Sequence, residues 1–415
     1  MNLWKAELKR VLKTRSVRIL LPAALLLSVL MAYFPVSFVT YTYLDDKKQE
    51  VTITGLEAIQ MKKESRKDFS GVITPELLSR ALLQYQETEN AYGDINDPDF
   101  SLDIYNQNIY PLGSLIMRMR EVYVDPKTGV AKEASALGSE DALGFYEQCP
   151  VHLKELMKME QTDYPSAQKI ADSLFEKVTF PYEYYPGYDS NALEYVGLCI
   201  FLLILICTFI ASTVFAADYQ TGADDIIRCT RYGKLRLAVV KISSALLIFT
   251  VTFAVCIGIF SLISNTAFGW ECRKTSLQII ESSVCLTALN LGQVQNLVIF
   301  AGFLTLLATV SFTLFLSSKC RSNTTAIGLS IVFLVAPSFL YMFFGGEVTK
   351  WIRCLLPSGG TGMSNSFFYT LISFEFLHLG DASFLPGQIM LIAAAIEIPL
   401  FLLLTVVSYC RHISR

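Results

Sequence analysis

The sequence predicts an all-α membrane protein. It calls for six transmembrane helices, an N-terminal amphipathic helix, a large and mainly helical ectodomain between the first and second spans, and a re-entrant outer hairpin before the last span. Three observations lead there. The 415 residues are 53% apolar and only 17% charged, with a positive mean hydropathy, which is too apolar for an ordinary soluble protein of this size. Six runs, 19–44, 195–217, 242–270, 282–318, 322–346 and 382–410, carry no charge except Glu397 in the last. Each reaches the roughly 20 residues that cross about 30 Å of hydrocarbon as a helix. The stretch between the first two runs, 45–193, holds no comparable run and is the one substantial water-soluble part.

Residues 1–18 precede the first span and have a helical pattern of their own. Leu3, Trp4, Leu8, Val11 and Leu12 fall on one face, and Lys5, Lys9, Arg10 and Lys13 on the other. The pattern describes a helix lying on the inner leaflet, with an ordinary cytosolic extension of the first span as the plainer alternative. The apolar part of the first run, 19–44, is too long for a cleaved signal peptide.

The ectodomain, 45–193, is patterned helically in PELLSRALLQYQETENAY and VHLKELMKMEQTDYPSAQKIADSLFEKV, with turn signals at 93–98 and 125–129. It carries 26 Asp and Glu against 15 Lys and Arg, a balance of −11, whereas the rest of the chain stands at +8. Such a surface favours cationic peptides or ions over anionic ones, or is simply solvated. FPYEYYPGYD at 180–189 suggests tyrosines anchored at the membrane interface, or else a substrate contact.

Residues 194–410 make the remaining five spans. One further uncharged run, 354–374, contains Pro357, Gly359, Gly360 and Gly362, so a continuous lipid-facing helix there would leave backbone groups unpaired. It is expected to form the re-entrant part of an outer hairpin over 345–386. With six spans, most Lys and Arg outside the ectodomain fall on one side, including those of 1–18, Arg228, Arg231, Lys234, Arg236, Lys319, Arg321 and the tail 411–415. That bias places both termini in the cytosol and 45–193 outside a plasma membrane.

Between the second and third spans, DYQTGADDIIRCTRYGKLRLAVVK (218–241) is longer than the two to eight residues that join antiparallel helices. Asp218 and Gly222, then Ile226, Ile227, Arg228, Thr230 and Arg231, followed by Gly233 and Lys241, resemble a signature of the type-2 family of ABC transporter permeases. In that family an acidic residue, three others, a glycine, three others and a hydrophobic residue follow the second span. The overall layout of the membrane part is similar too, whereas the ectodomain has no counterpart in the resemblance. The chain departs from the pattern with Asp218 where Glu is common, Ala223 where Thr is frequent, and no proline near position 230. The resemblance implies an exporter permease that pairs with a second copy or a related chain and recruits cytosolic ATPase subunits through this loop as a coupling helix. Asp218, Gly222, Ile226, Ile227, Arg228 and Arg231 would be the contact residues. ATP and Mg would then belong to the partner, and no cofactor to this chain. A solvated loop with incidental charges is the plainer account.

Other chemistry finds no support. The sequence has no G-x-x-x-x-G-K-[ST], no H-E-x-x-H, no C-x-x-C and only three histidines, so neither an ATPase site, a metal site nor a nucleophilic constellation is legible, and nothing points to nucleic acid. Glu397, mid-span in LIAAAIEIPLFLLL, either faces a substrate path or dimer seam or serves packing beside Pro399. Cys272 and Cys285 close a short outer loop and are expected to form a disulfide. The function expected is export of an amphipathic, lipid-like or peptide substrate. The alternative is a membrane sensor or immunity protein that binds an extracellular peptide without transport.

Overall fold

A computed structural model describes residues 3–125, 128–189, 191–230, 233–361 and 366–411. Six helices are long and apolar enough to cross a membrane: Arg15–Phe38, Asn191–Thr221, Leu235–Phe268, Leu291–Lys319, Asn323–Phe343 and Pro386–Arg411. Strand structure among the described residues is confined to three short two-stranded antiparallel sheets and isolated bridges, so the chain is an all-α multi-pass membrane protein.

Uncharged runs mark the spans but not their ends. The first span stops at Phe38, because Thr40–Leu44 pairs with Glu50–Thr54 as a β-hairpin. Alternating Thr and Tyr suit a pleated, half-exposed strand, and the Asp45 carboxylate closes the turn by accepting from the Lys47 and Gln49 amides, both at 2.8 Å. Residues 282–290 are equally free of charge yet lie outside the membrane helix, which starts at Leu291 behind an Asn290 cap. In the other direction, the second span extends to Thr221 and the third begins at Leu235.

The second and fourth spans form the centre of the bundle. In each, 61% of the apolar window is buried within the chain, against 22–33% in the other four. Small and polar residues hold them together, as suits helices whose lipid surroundings are as apolar as their own side chains. A Cβ on Gly302 would meet Ile200 Cδ1 at 2.7 Å, so a glycine is required for the close approach. The Ser317 hydroxyl donates to the Ser212 carbonyl at 2.7 Å, and Asn265 donates to Gln295 at 3.2 Å between the third and fourth spans.

The segment before the last span turns inward. After the helix Glu347–Leu355, the Pro357 carbonyl accepts from Thr309 at 3.0 Å and Ser358 donates to the Phe333 carbonyl at 2.8 Å. Gly360 packs so tightly that a Cβ would lie 2.6 Å from the Thr305 hydroxyl. Thr305, Thr309 and Phe333 sit near the middle of their helices, so irregular backbone reaches mid-span depth where it is enclosed by protein, the circumstance in which a bilayer tolerates it. Gly362 lies outside the described residues.

The domain following the first span is helical, as its patterning predicts, but it is not a self-contained 45–193 unit. Its core of Phe69, Ile73, Leu78, Leu82, Met119, Phe145, Leu153 and Tyr182 is completed by Ile279, Val284, Leu286 and Phe376 from the two loops on the same side of the bundle. Glu121 accepts from the Ser282 and Ser283 hydroxyls and the Ser283 amide, Arg118 donates to the Glu281 carbonyl, and Gln161 donates to the Phe374 carbonyl. Tyr182 is fully buried and donates to the Ser283 carbonyl at 2.7 Å. At this position the tyrosine joins domain to loop and does not reach the lipid interface.

Candidate functional site

The loop between the second and third spans lies at the end of the bundle opposite the inserted domain. Gly222 ends the second span in a left-handed conformation, φ 68° and ψ 9°, and a Cβ there would meet nothing within 4 Å. The glycine is therefore needed for the turn and not for close packing. A six-residue helix, Ala223–Arg228, follows.

This short helix is held on its inner side. Asp224 is buried and pairs with Arg228 at 3.4 Å, one helical turn on. Arg228 also donates to the Tyr409 and Cys410 carbonyls at 2.9 and 3.3 Å, satisfying acceptors that the last span leaves open at its C-terminal end. The Tyr409 hydroxyl in turn donates to the Gly233 carbonyl at 3.2 Å.

Beside it lies an ionic chain that is buried at Lys241, Asp218 and Glu7 and open to solvent at Arg10. Asp218 pairs with Lys241 on the third span and, at 3.3 Å, with Arg10 of the N-terminal helix, and Arg10 pairs with Glu7 at 2.5 Å. Lys241 is 1% exposed and donates a second hydrogen bond to the Val214 carbonyl at 3.0 Å. Two carboxylates and two cations thus balance where an unpaired charge would be costly. Burial alone would lower the Arg10 pKa, but the hydrogen bond and charge of Glu7, with Asp218 beyond, carry it above its ordinary value.

The candidate coupling residues therefore divide. Ile226 is 76% exposed, whereas Ile227 packs partly buried against the bundle core. Asp218 and Arg228, expected to face a partner, are engaged within the chain because each sits beside an opposite charge or an open carbonyl of a neighbouring helix. Arg231 lies outside the described residues. Glu7, Arg10, Asp224 and Tyr409 were missed as part of this site. Glu7 did leave a signal, since it falls between Trp4, Leu8 and Val11 on the otherwise apolar face of its helix.

Cys272 and Cys285 are both free, which corrects the expected disulfide. Cys272 donates to the Phe268 and Pro186 carbonyls at 3.0 and 3.1 Å, while Cys285 faces the Leu371 carbonyl at 3.8 Å. The intervening loop folds into the domain core and turns the two thiols to different neighbours. Glu397 lies in the last span with Oε2 buried and lacking a hydrogen-bond partner, next to the exposed Ile396. Among the described residues no group of three or more His, Cys, Asp and Glu side chains is placed to hold a metal ion.

A cavity of about 450 Å³ opens where the inserted domain, the loop before the fourth span, the inward-turning segment and the last span converge. Leu174, Leu286, Leu297, Phe367, Leu371 and Leu391 line it, with Lys177 and Gln388 among its few polar groups. Two lining hydroxyls, Thr287 and Thr370, are already committed to the Leu371 and Phe367 carbonyls, so the walls are mainly apolar, with Lys177, Ser373 and Gln388 as polar points.

Residues 164–412, more than half the chain, match a family described as protein of unknown function, DUF2705. The chain belongs to the DUF2705 family. No curated protein matches it. The DUF2705 match covers five spans, the loop bearing Asp218 and Ile226, the inward-turning segment and the residues around the 450 Å³ cavity. It leaves out the N-terminal helix, so in this DUF2705 protein Glu7 and Arg10 join the ionic chain from beyond the matched region.

Proposed function

We propose that this chain is the permease subunit of an ATP-driven exporter in the plasma membrane, with both termini cytosolic and the inserted domain outside. The observation that carries the proposal is the short helix Ala223–Arg228. On one side Arg228 bonds it to the last span, and it follows directly on the end of the second span, where Asp218 pairs with Arg10 of the N-terminal helix and Lys241 of the third; on the other side it presents Ile226 to solvent. A short helix that continues from the second span, is bonded to the last and bears an exposed apolar residue suits the transfer of force from a soluble partner, here a separate ATPase that binds ATP and Mg. Truncation of an apolar anchor in such a contact typically costs 2 kcal/mol or more.

The substrate class is amphipathic. The 450 Å³ cavity falls within the roughly 300–1,000 Å³ of pockets that enclose small ligands, and its apolar walls with a lysine among the lining residues suit a molecule with one long apolar part. A second copy or a related chain would complete the path, with Glu397 a candidate for the seam. Ile226→Asp tests the proposal, because the substitution touches no span. Loss of both ATPase co-purification and substrate-stimulated ATP hydrolysis, with membrane insertion intact, is the expected result. Retention of both at the normal level would refute the assignment.

A further inference from the structure

We infer that a second pocket, at the membrane surface beneath the inserted domain, binds a phosphate-type anion such as the headgroup of an acidic phospholipid. The pocket has a volume of about 250 Å³ and lies where Val39 leaves the first span and Tyr188 and Asp189 approach the second. Its depth along the bundle is therefore that of lipid headgroups. Lys62 and Arg66 supply its charge, and Met117, Ile279 and Ile280 add apolar wall.

Three observations point to a missing anion. First, neither Lys62 nor Arg66 has a carboxylate within ion-pair distance among the described residues, although both side chains are withdrawn from full exposure. Second, Arg66 Nε is buried without a hydrogen-bond partner. The guanidinium has only the Tyr184 hydroxyl at 3.3 Å and the face of Tyr110 at 4.4 Å, which leaves donors of a planar fork unsatisfied. Third, the two cations oppose each other: burial first, and then the charge of Arg66, push the Lys62 ammonium below its ordinary range against the weaker pull of Asp189.

The nearby acids offset this charge only in part. Asp189 lines the pocket, but its Oδ1 accepts from the Asn191 amide at 3.1 Å and the Asn191 side chain at 2.6 Å, at the start of the second span. Glu281, adjacent in sequence to Ile280, interacts with Arg118 and Glu194. A phosphate oxygen seated between Lys62 and the terminal nitrogens of Arg66 would relieve the repulsion, through charge-assisted hydrogen bonds of the kind arginine and lysine make to phosphate. The inference stands independently of transport.

Native mass spectrometry of the full chain released from detergent, with phosphatidylglycerol, phosphatidylcholine or inorganic phosphate added, provides the test. Wild type should retain phosphatidylglycerol in preference to phosphatidylcholine. Lys62→Met should weaken that retention about tenfold or more, Lys62→Arg should restore it, and Lys47→Met, on an exposed turn, should leave it unchanged. Removing Lys62 relieves a repulsion, so the variant is expected to fold. Competition by millimolar inorganic phosphate, lost in Lys62→Met, would assign the site to a free anion; its absence alongside phosphatidylglycerol retention assigns it to lipid. Equal retention of both lipids without phosphate binding, or a Lys62→Met variant that behaves as wild type, would overturn the inference.

Discussion

Replacing Asp218 by Asn strands Lys241. That ammonium is 1% exposed, and its two hydrogen-bond partners are the Val214 carbonyl and the Asp218 carboxylate, so the variant leaves a buried cation with neutral acceptors and no counter-charge. Removing one partner of a buried ion pair costs about 3–5 kcal/mol. Lys241→Met is the milder change, because Asp218 keeps Arg10 at 3.3 Å; about 1–3 kcal/mol is expected. With both substitutions together, Arg10 retains Glu7 at 2.5 Å and no buried charge is left alone, so the double variant should lose less than the sum of the single losses by about 2 kcal/mol. Reversible unfolding of the three variants in mixed micelles, analysed as a double-mutant cycle, measures these values. An Asp218→Asn loss below about 1 kcal/mol, or a double variant that equals the sum, would show that the ionic chain does not hold the N-terminal helix, the second span and the third span together.

Three further outcomes follow from the structure. Intact-mass measurement after native purification should find Cys272 and Cys285 reduced, and alkylation of Cys149 and Cys285 should be slow until the protein is unfolded, because burial pushes both thiols up to about 12. His152 has its pKa lowered by burial, against the opposing pull of Glu121 and Glu155, so the folded state disfavours its protonation. Its contribution to stability should be complete above the unfolded value near 6.5 and be lost as pH falls through the lower folded value; His152→Gln should flatten that part of the stability–pH curve. An isolated 45–193 fragment should lack a cooperative unfolding transition, because Ile279, Val284, Leu286 and Phe376 are missing from its core; a sharp calorimetric peak from that fragment would count against the shared core.

What the sequence disclosed depended on how local the determinant was. Span number is a local property, set by the length of each uncharged run, and so is the irregularity at Pro357, Gly359 and Gly360. The ends of the spans were less legible, since 40–44 and 282–290 lack charge yet serve a hairpin and a domain core. The loop after the second span could be singled out by its charge, but the direction each charge faces could not. Asp218 meets Arg10, which is 208 residues away, and Arg228 meets the Tyr409 carbonyl 181 residues away. Pairings at such separations are tertiary, and no spacing rule reports them. The Cys272 and Cys285 expectation failed for the same reason: nearness along the chain says nothing about the direction of two side chains once a loop enters a core.

The core shared by the inserted domain and the two loops also sets a timetable for biogenesis. Most of the domain is made before the second span, yet Phe376 leaves the ribosome about 190 residues after Tyr184. At roughly 5–20 residues per second, the domain would wait about 10–40 s with an open apolar face before its last side chain arrives. During that interval the nascent chain is a target for proteases and chaperones, and a message truncated ahead of Phe376 would yield a membrane-inserted product whose largest water-facing part can never close.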